Sequence, residues 1–278
     1  MQSPELWPSE RWADHFRRNR EASLPPSLDD SASLTDAERK VITSSVQAFQ
    51  LGENSEGRNL LHAAQAYARK CNDPAYVDAI RLFIAEEQRH ALYLAKFMAI
   101  EGIPRIKKNW TDSVFRLLRK PMGLETSISV LLVAEVIAAV YYDALRESTS
   151  SPLLKRICDQ ILRDEDHHIR FQSERLGTLR KHRSRLYSAI SNTIHRVLFF
   201  GTCFVVWREH RRVFRAGGFH FRRYWKACWG EMGRAISLIR QASEHQRTIG
   251  PTHSDPPSRQ SKTTPSMKNV AWRSQTLT

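Results

Sequence analysis

The chain has only four cysteines in 278 residues (Cys71, Cys158, Cys203 and Cys228), and no two of them form a CxxC pair. That scarcity excludes a disulfide framework and a zinc–thiolate site, and it fits a reduced, cytoplasmic setting. Long apolar runs are missing too. The longest, residues 197–207, covers eleven positions and is interrupted by Gly201 and Thr202, whereas a bilayer-spanning helix needs ~20 apolar residues. The N-terminus, MQSPELWPSERW, has no apolar segment of the kind a secretory leader carries. Acids are nearly absent from one stretch: between Arg180 and Arg240 only Glu209 and Glu231 face 14 Lys/Arg. That stretch supplies +12 of the net +14, so a near-neutral body carries a basic C-terminal part.

What the chain does have is helical periodicity. Residues 1–33, with Pro4, Pro8, Pro25 and Pro26, read as a flexible N-terminal arm, and 245–278 as a disordered tail rich in Pro, Ser and Thr. Thr35 followed by Glu38 predicts a capped helix start. The inward face of that helix steps through Ile42, Val46, Phe49, Glu53, Glu56, Leu60, Ala63 and Tyr67. Asn72-Asp73-Pro74 turns the chain into a second helix over 75–100, which Gly102-Ile103-Pro104 stops. Residues 103–123 form a long connection with an amphipathic piece beginning at Val114. A third helix over 124–147 and a fourth over 152–182 flank the turn at Ser148–Pro152. Two tight hairpins joined by a long crossover make an all-α four-helix bundle over 34–182, followed by basic, aromatic helices over 183–244.

The second helix holds Glu86-Glu87-Gln88-Arg89-His90 and the fourth Asp164-Glu165-Asp166-His167-His168. Each contains Glu-x-x-His (Glu87/His90 and Glu165/His168), a spacing that puts both side chains on one helical face within reach of one ion. Carboxylate with neutral imidazole suits a first-row metal that keeps open positions, iron or manganese. The hairpins repeat: 13 residues separate Pro74 from Glu87, and 13 separate Pro152 from Glu165. Glu135 lies in an apolar run 17 residues before Pro152, where a carboxylate needs a partner. The matching place in the first hairpin is position 57, next to Glu56, with Glu53 one turn earlier as its rival. Glu86 and Asp164 each precede a histidine by four residues and can reach round to orient that imidazole.

One Glu on each of two helices and Glu-x-x-His on the other two is the ligand set of ferritin-like di-iron carboxylate proteins, which residues 40–180 resemble. The resemblance implies a metal site of Glu56, Glu87, His90, Glu135, Glu165 and His168 holding two irons, or an Mn/Fe pair, with Glu87 and Glu165 bridging. The segment Leu51–Arg58 is also similar to the first helix of rubrerythrin-like members, which keeps Glu53 in play. No four-cysteine iron site accompanies the bundle, and Ile161 stands where a third histidine of the arylamine-oxygenase type would be. His167 points about 100° away from His168. Asp164/His167, a shifted Asp-x-x-His, does not fit the repeat. Tyr142, seven residues after Glu135, reads as a core tyrosine on the same face.

The implied activity is oxidation of a small organic substrate with O2 or peroxide, with an electron-donor protein as a partner and a dry wall built from Leu131, Leu132 and Ala138. A second reading is ferroxidase or peroxide scavenging. A third is a metal-stabilised interaction module docking through the basic part. Phe199, Phe200, Phe204, Trp207, Trp225 and Trp229 are too many aromatics for a solvated linker and predict two helices parted at Gly217-Gly218. Their faces read as packed on the bundle or on a second copy in a homodimer, or as meeting a membrane surface. No nucleic-acid motif is present.

Overall fold

The computed structural model describes residues 6–22, 33–54, 57–108, 123–181 and 183–248, which form helices and, among the described residues, no strand. The elements are α1 (Ser9–Ala22), α2 (Asp36–Glu53), α3 (Arg58–Cys71), α4 (Pro74–Ile100), α5 (Leu124–Glu147), α6 (Pro152–Arg180), α7 (Arg185–Ala216) and α8 (Phe221–Thr248). Thr35 and Glu38 close a capping box at the start of α2. Asp73 and Ser151 cap α4 and α6 by accepting the N–H groups of Tyr76 and Leu154, and each helix opens on proline. The second arm of both hairpins therefore begins in the same way.

The first arm does not run as one helix. The chain breaks after Glu53 and resumes at Arg58, with Gly57 at φ +60° and any Cβ there 2.5 Å from Cδ1 of Ile84. Only glycine satisfies both conditions. The break also resets the buried face: α3 buries Leu60, Ala64, Ala68 and Cys71, leaving Ala63 and Tyr67 half-buried.

Helices α2 and α3 pack on α4, α5 packs on α6, and α4 meets α6 so that the two Glu-x-x-His helices face each other. Tyr76, Leu94 and Phe97 of the first hairpin and Leu132, Val136, Leu154 and Ile161 of the second lie fully inside. Burying each of the aliphatic side chains and Phe97 contributes roughly 1.5–3 kcal/mol.

Part of the segment read as a flexible arm is the ordered helix α1, packed on α4 with Trp12 and Phe16 buried. Trp12, Phe16 and Asn19 fall at i, i+4 and i+7, one helical face that the surrounding prolines obscure. Helices α7 and α8 part at Gly217-Gly218, where Gly218 takes φ +77°. Helix α7 covers α5 and α2, while α8 lies along α6 and continues to Thr248, beyond the expected limit at 244. The amphipathic piece of the crossover and the tail from 249 onward fall outside the described residues.

Candidate metal centre

Glu87 and His90 stand one turn apart on α4, Glu165 and His168 on α6, Glu135 midway along α5, and Glu53 at the last residue of α2. Their carboxylate oxygens and ring nitrogens gather in two overlapping groups, Glu87–Glu135–Glu165–His168 and Glu53–His90–Glu165, the atoms of each within 4.8 Å of one another. Glu165 belongs to both. His90 Nδ1 is 3.9 Å from Glu87 Oε1 and 3.9 Å from Glu165 Oε1. His168 Nδ1 is 2.9 Å from Glu87 Oε1 and 3.7 Å from Glu165 Oε2. Both carboxylates therefore stand between the two imidazoles. The fold brings Glu87, His90, Glu135, Glu165 and His168 together; Glu56 lies outside the described residues, and the α2 carboxylate in the cluster is Glu53.

The interior of the cluster is short of partners. Both carboxylate oxygens of Glu165 and His90 Nδ1 are buried without a hydrogen bond among the described residues, and Glu87 Oε1 and His168 Nδ1, though 2.9 Å apart, are not aligned as donor and acceptor. Buried polar atoms are rarely left so, because each costs free energy. Five converging orphans of oxygen and imidazole type fit a pair of first-row cations. The electrostatics agree. Without a cation, burial and the charges of Glu135 and Glu53 push the Glu87 carboxyl well above its usual range, and burial with Glu135 does the same to Glu165. Burial alone would lower His168, but the Glu87 charge outweighs it and raises that imidazole well above its usual value. One oxygen each of Glu53 and Glu135 is tied down. Tyr142 donates to Glu53 at 2.6 Å and Gln172 donates to Glu135 at 2.8 Å.

The outer nitrogens meet acids, but not in the arrangement the spacing suggests. Asp164 on α6 bonds Nε2 of His90 on α4 at 2.9 Å, and Glu86 on α4 bonds Nε2 of His168 on α6 at 3.1 Å. Each acid holds the other hairpin's histidine, because neighbouring helices bring these side chains closer than a bend back along the same helix. An acceptor at Nε2 fixes the proton there and leaves Nδ1 free to face a metal. Asn19 of α1 donates to both acids, Gln160 adds a bond to Asp164, and Arg89 pairs with Glu86. Burial would raise both carboxyls, but the hydrogen bonds and charge of His168 and His90 respectively hold Glu86 and Asp164 below the usual range. His167 is turned away, bonded to the Arg163 carbonyl and stacked on His15 at 4.2 Å. Asp164 is likewise committed to His90, so the shifted Asp-x-x-His pair is not assembled.

On the opposite side Glu53, Glu87 and Glu135 open onto a cavity of about 140 Å³ walled by Phe49, Leu131, Ala134, Ile137, Ala138 and Val206. Leu132 lies in the core instead and does not line it. His210 of α7 closes one end, its Nδ1 2.7 Å from Ser45 Oγ, which is 2.9 Å from the Tyr141 hydroxyl. Burial lowers the His210 imidazole to about 4 against the pull of Glu209, so it is neutral at pH 7. Asn19, Gln172 and His210 escape a reading of the sequence. Gln172, one turn past His168, and Asn19, at i+7 from Trp12, carry a periodic signal that could have revealed them; His210 carries none.

No protein-family profile and no curated protein sequence matches the chain. Among solved structures, two variants of an R2-like ligand-binding oxidase with an aerobically reconstituted Mn/Fe cofactor share its architecture at 16% sequence identity. One has a TM-score of 0.62 and is matched over 84% of this chain and 94% of its own; the other has 0.56, over 84% and 93%. The likeness fixes the fold as a ferritin-like helical bundle.

Proposed function

We propose that the protein is a non-haem di-metal oxidase or oxygenase, using O2 to oxidise a small organic substrate held in the cavity beside Glu53, Glu87 and Glu135. The observation that carries this reading is the pairing of a cation-deficient donor set with an apolar chamber on one side only. Glu53, Glu87, His90, Glu135, Glu165 and His168 would hold two irons, or manganese and iron as in the R2-like oxidases. Such a pair supplies oxidation of a bound substrate by dioxygen.

The chain's own contribution is placement. Leu131, Ala134, Ile137 and Ala138 exclude water and accept an apolar substrate body. Tyr142 fixes Glu53, and Gln172 fixes Glu135, so that two of the three carboxylates facing the chamber are oriented before anything binds. Asp164 and Glu86 keep both imidazoles in the tautomer a metal needs. Beyond the three carboxylates and His210 the lining is mostly apolar, which favours an organic substrate over iron itself.

The test is metal analysis of chelator-free protein, followed by absorption spectra before and after admitting air to an anaerobic, reduced sample. Protein with about two irons or one manganese and one iron per chain, and a colour change on exposure to air, supports the reading. Protein that stays metal-free when supplied with both ions rejects it.

A further inference from the structure

We propose that α7 docks the protein on an anionic bilayer surface through its outward face. Although the uninterrupted apolar run at 197–207 is too short to span a bilayer, helices α5 and α7 taken over their length are both long and apolar enough to cross a membrane; the apolar stretch of α5 is 67% buried inside the protein and that of α7 only 28%. The bundle therefore accounts for the apolar character of α5 and leaves that of α7 unexplained. The exposed residues are in register. Ile190, Ile194, Val197 and Phe204 are 53%, 64%, 67% and 59% exposed, and with Gly201 they step by three and four along a single stripe.

The same stripe continues as Arg208, Arg211, Arg212 and Arg215, all exposed, with Glu209 as the lone acid among them. At its flank Trp225 touches Phe200 at 5.2 Å and Phe221 touches Trp207 at 5.3 Å, with Arg222 and Lys226 exposed beside them. An apolar stripe ending in guanidinium groups and rimmed by aromatics is the arrangement of a helix lying in the interface plane. A spanning orientation is excluded by the other face of α7, where Phe199, Cys203, Val213 and Phe214 are buried against the rest of the protein.

Charge selects the occupant. A second copy would bring the same +14 and the same arginine-ended stripe to the contact, whereas anionic headgroups complement the arginines and acyl chains complement the stripe. The inner side of α7 supplies Thr202, Val206 and His210 to the cavity, so docking sets the cavity wall at the membrane surface. A substrate that partitions into the bilayer would follow; that corollary rests on the proposed oxidation, while docking does not.

Flotation of the full chain with phosphatidylcholine vesicles, with and without phosphatidylserine, tests the proposal. The unaltered chain should float with the anionic vesicles and be released by high salt. The double variant Ile194→Glu/Val197→Glu should lose flotation by roughly tenfold or more while keeping its helical circular dichroism, and replacing all four arginines by Gln should abolish the preference for phosphatidylserine. Glu165→Ala should float unchanged, which separates docking from the metal reading. The idea is overturned if the chain stays down with both vesicles, if the arginine variant keeps the preference, or if the Glu variant merely turns a dimer into a monomer in light scattering.

Discussion

The two hairpins that furnish the cluster share their spacing but not their continuity. In the second, α5 runs unbroken past Glu135, so that residue is fixed by helix on both sides and by Gln172 from its own hairpin partner. In the first, α2 ends at Glu53 and the chain restarts four residues beyond Asn54, so Glu53 sits on a helix terminus held by Tyr142 from the other hairpin. Glu165 is 1% exposed on its side chain and Glu87 17%. The second half is therefore locally built, with Glu165 sealed and only Glu135 reaching the cavity. The other faces the cavity and depends on contacts from across the bundle. Of the three carboxylates that reach the cavity, Glu53 and Glu135 are held by hydrogen bonds, and Glu87, whose Oε1 has none, is the one placed to change orientation.

The sharpest way to break that comparison is to remove one carboxylate from each half. Glu165→Ala deletes the residue common to both groups of donor atoms and should strip nearly all metal after dialysis. Glu53→Ala should lose less, because the group of Glu87, Glu135, Glu165 and His168 stays complete. Equal metal content in the two variants would show that the halves are equivalent.

A smaller effect is expected from the crossed acids. Asp164→Asn and Glu86→Gln keep the shape but weaken the acceptor at Nε2, and each should lower metal affinity by about 10–100-fold. Because the bonds cross between hairpins, the imidazole nitrogen resonances of His90 should move in Asp164→Asn, and those of His168 in Glu86→Gln. Movement of the histidine on the mutated helix instead would mean that each acid serves its own neighbour after all.

This crossing also marks the limit of what the sequence discloses. Periodicity locates the helices and the doubled Glu-x-x-His, since helical geometry alone puts Glu87 beside His90 and Glu165 beside His168. It equally suggests that Glu86 and Asp164 are partners of some imidazole. Which imidazole depends on the distance between α4 and α6, and no local rule encodes that. The single helical face read from Ile42 to Tyr67 is interrupted for a similar reason. Gly57 lies against Ile84 of another helix, and that contact breaks the register. Helix α1 was hidden for the opposite reason, its Trp12/Phe16/Asn19 face being short and set among prolines. His210 reaches the cavity only because α7 folds back over α2, a tertiary fact with no periodic trace.

The smallest effect concerns a tie between the hairpins far from the metals. Glu38 closes the capping box of α2 on Thr35 and also accepts from the backbone N–H and hydroxyl of Ser150, in the turn between α5 and α6. Slight burial would raise its carboxyl, but the N–H groups of Thr35 and Ser150 outweigh that and lower it to about 2 from an ordinary 4.5. The folded state thus holds the proton less tightly than the unfolded chain. The tie contributes its full stabilisation above pH 4.5 and loses it as the pH falls towards 2. Glu38→Ala should cost about 1 kcal/mol near neutral pH, the usual range for a lost helix cap. In thermal melts the gap between the variant and the unaltered chain should then close between pH 5 and pH 2. A gap that stays constant over that range would mean that the carboxylate charge plays no part in joining the interrupted hairpin to the continuous one.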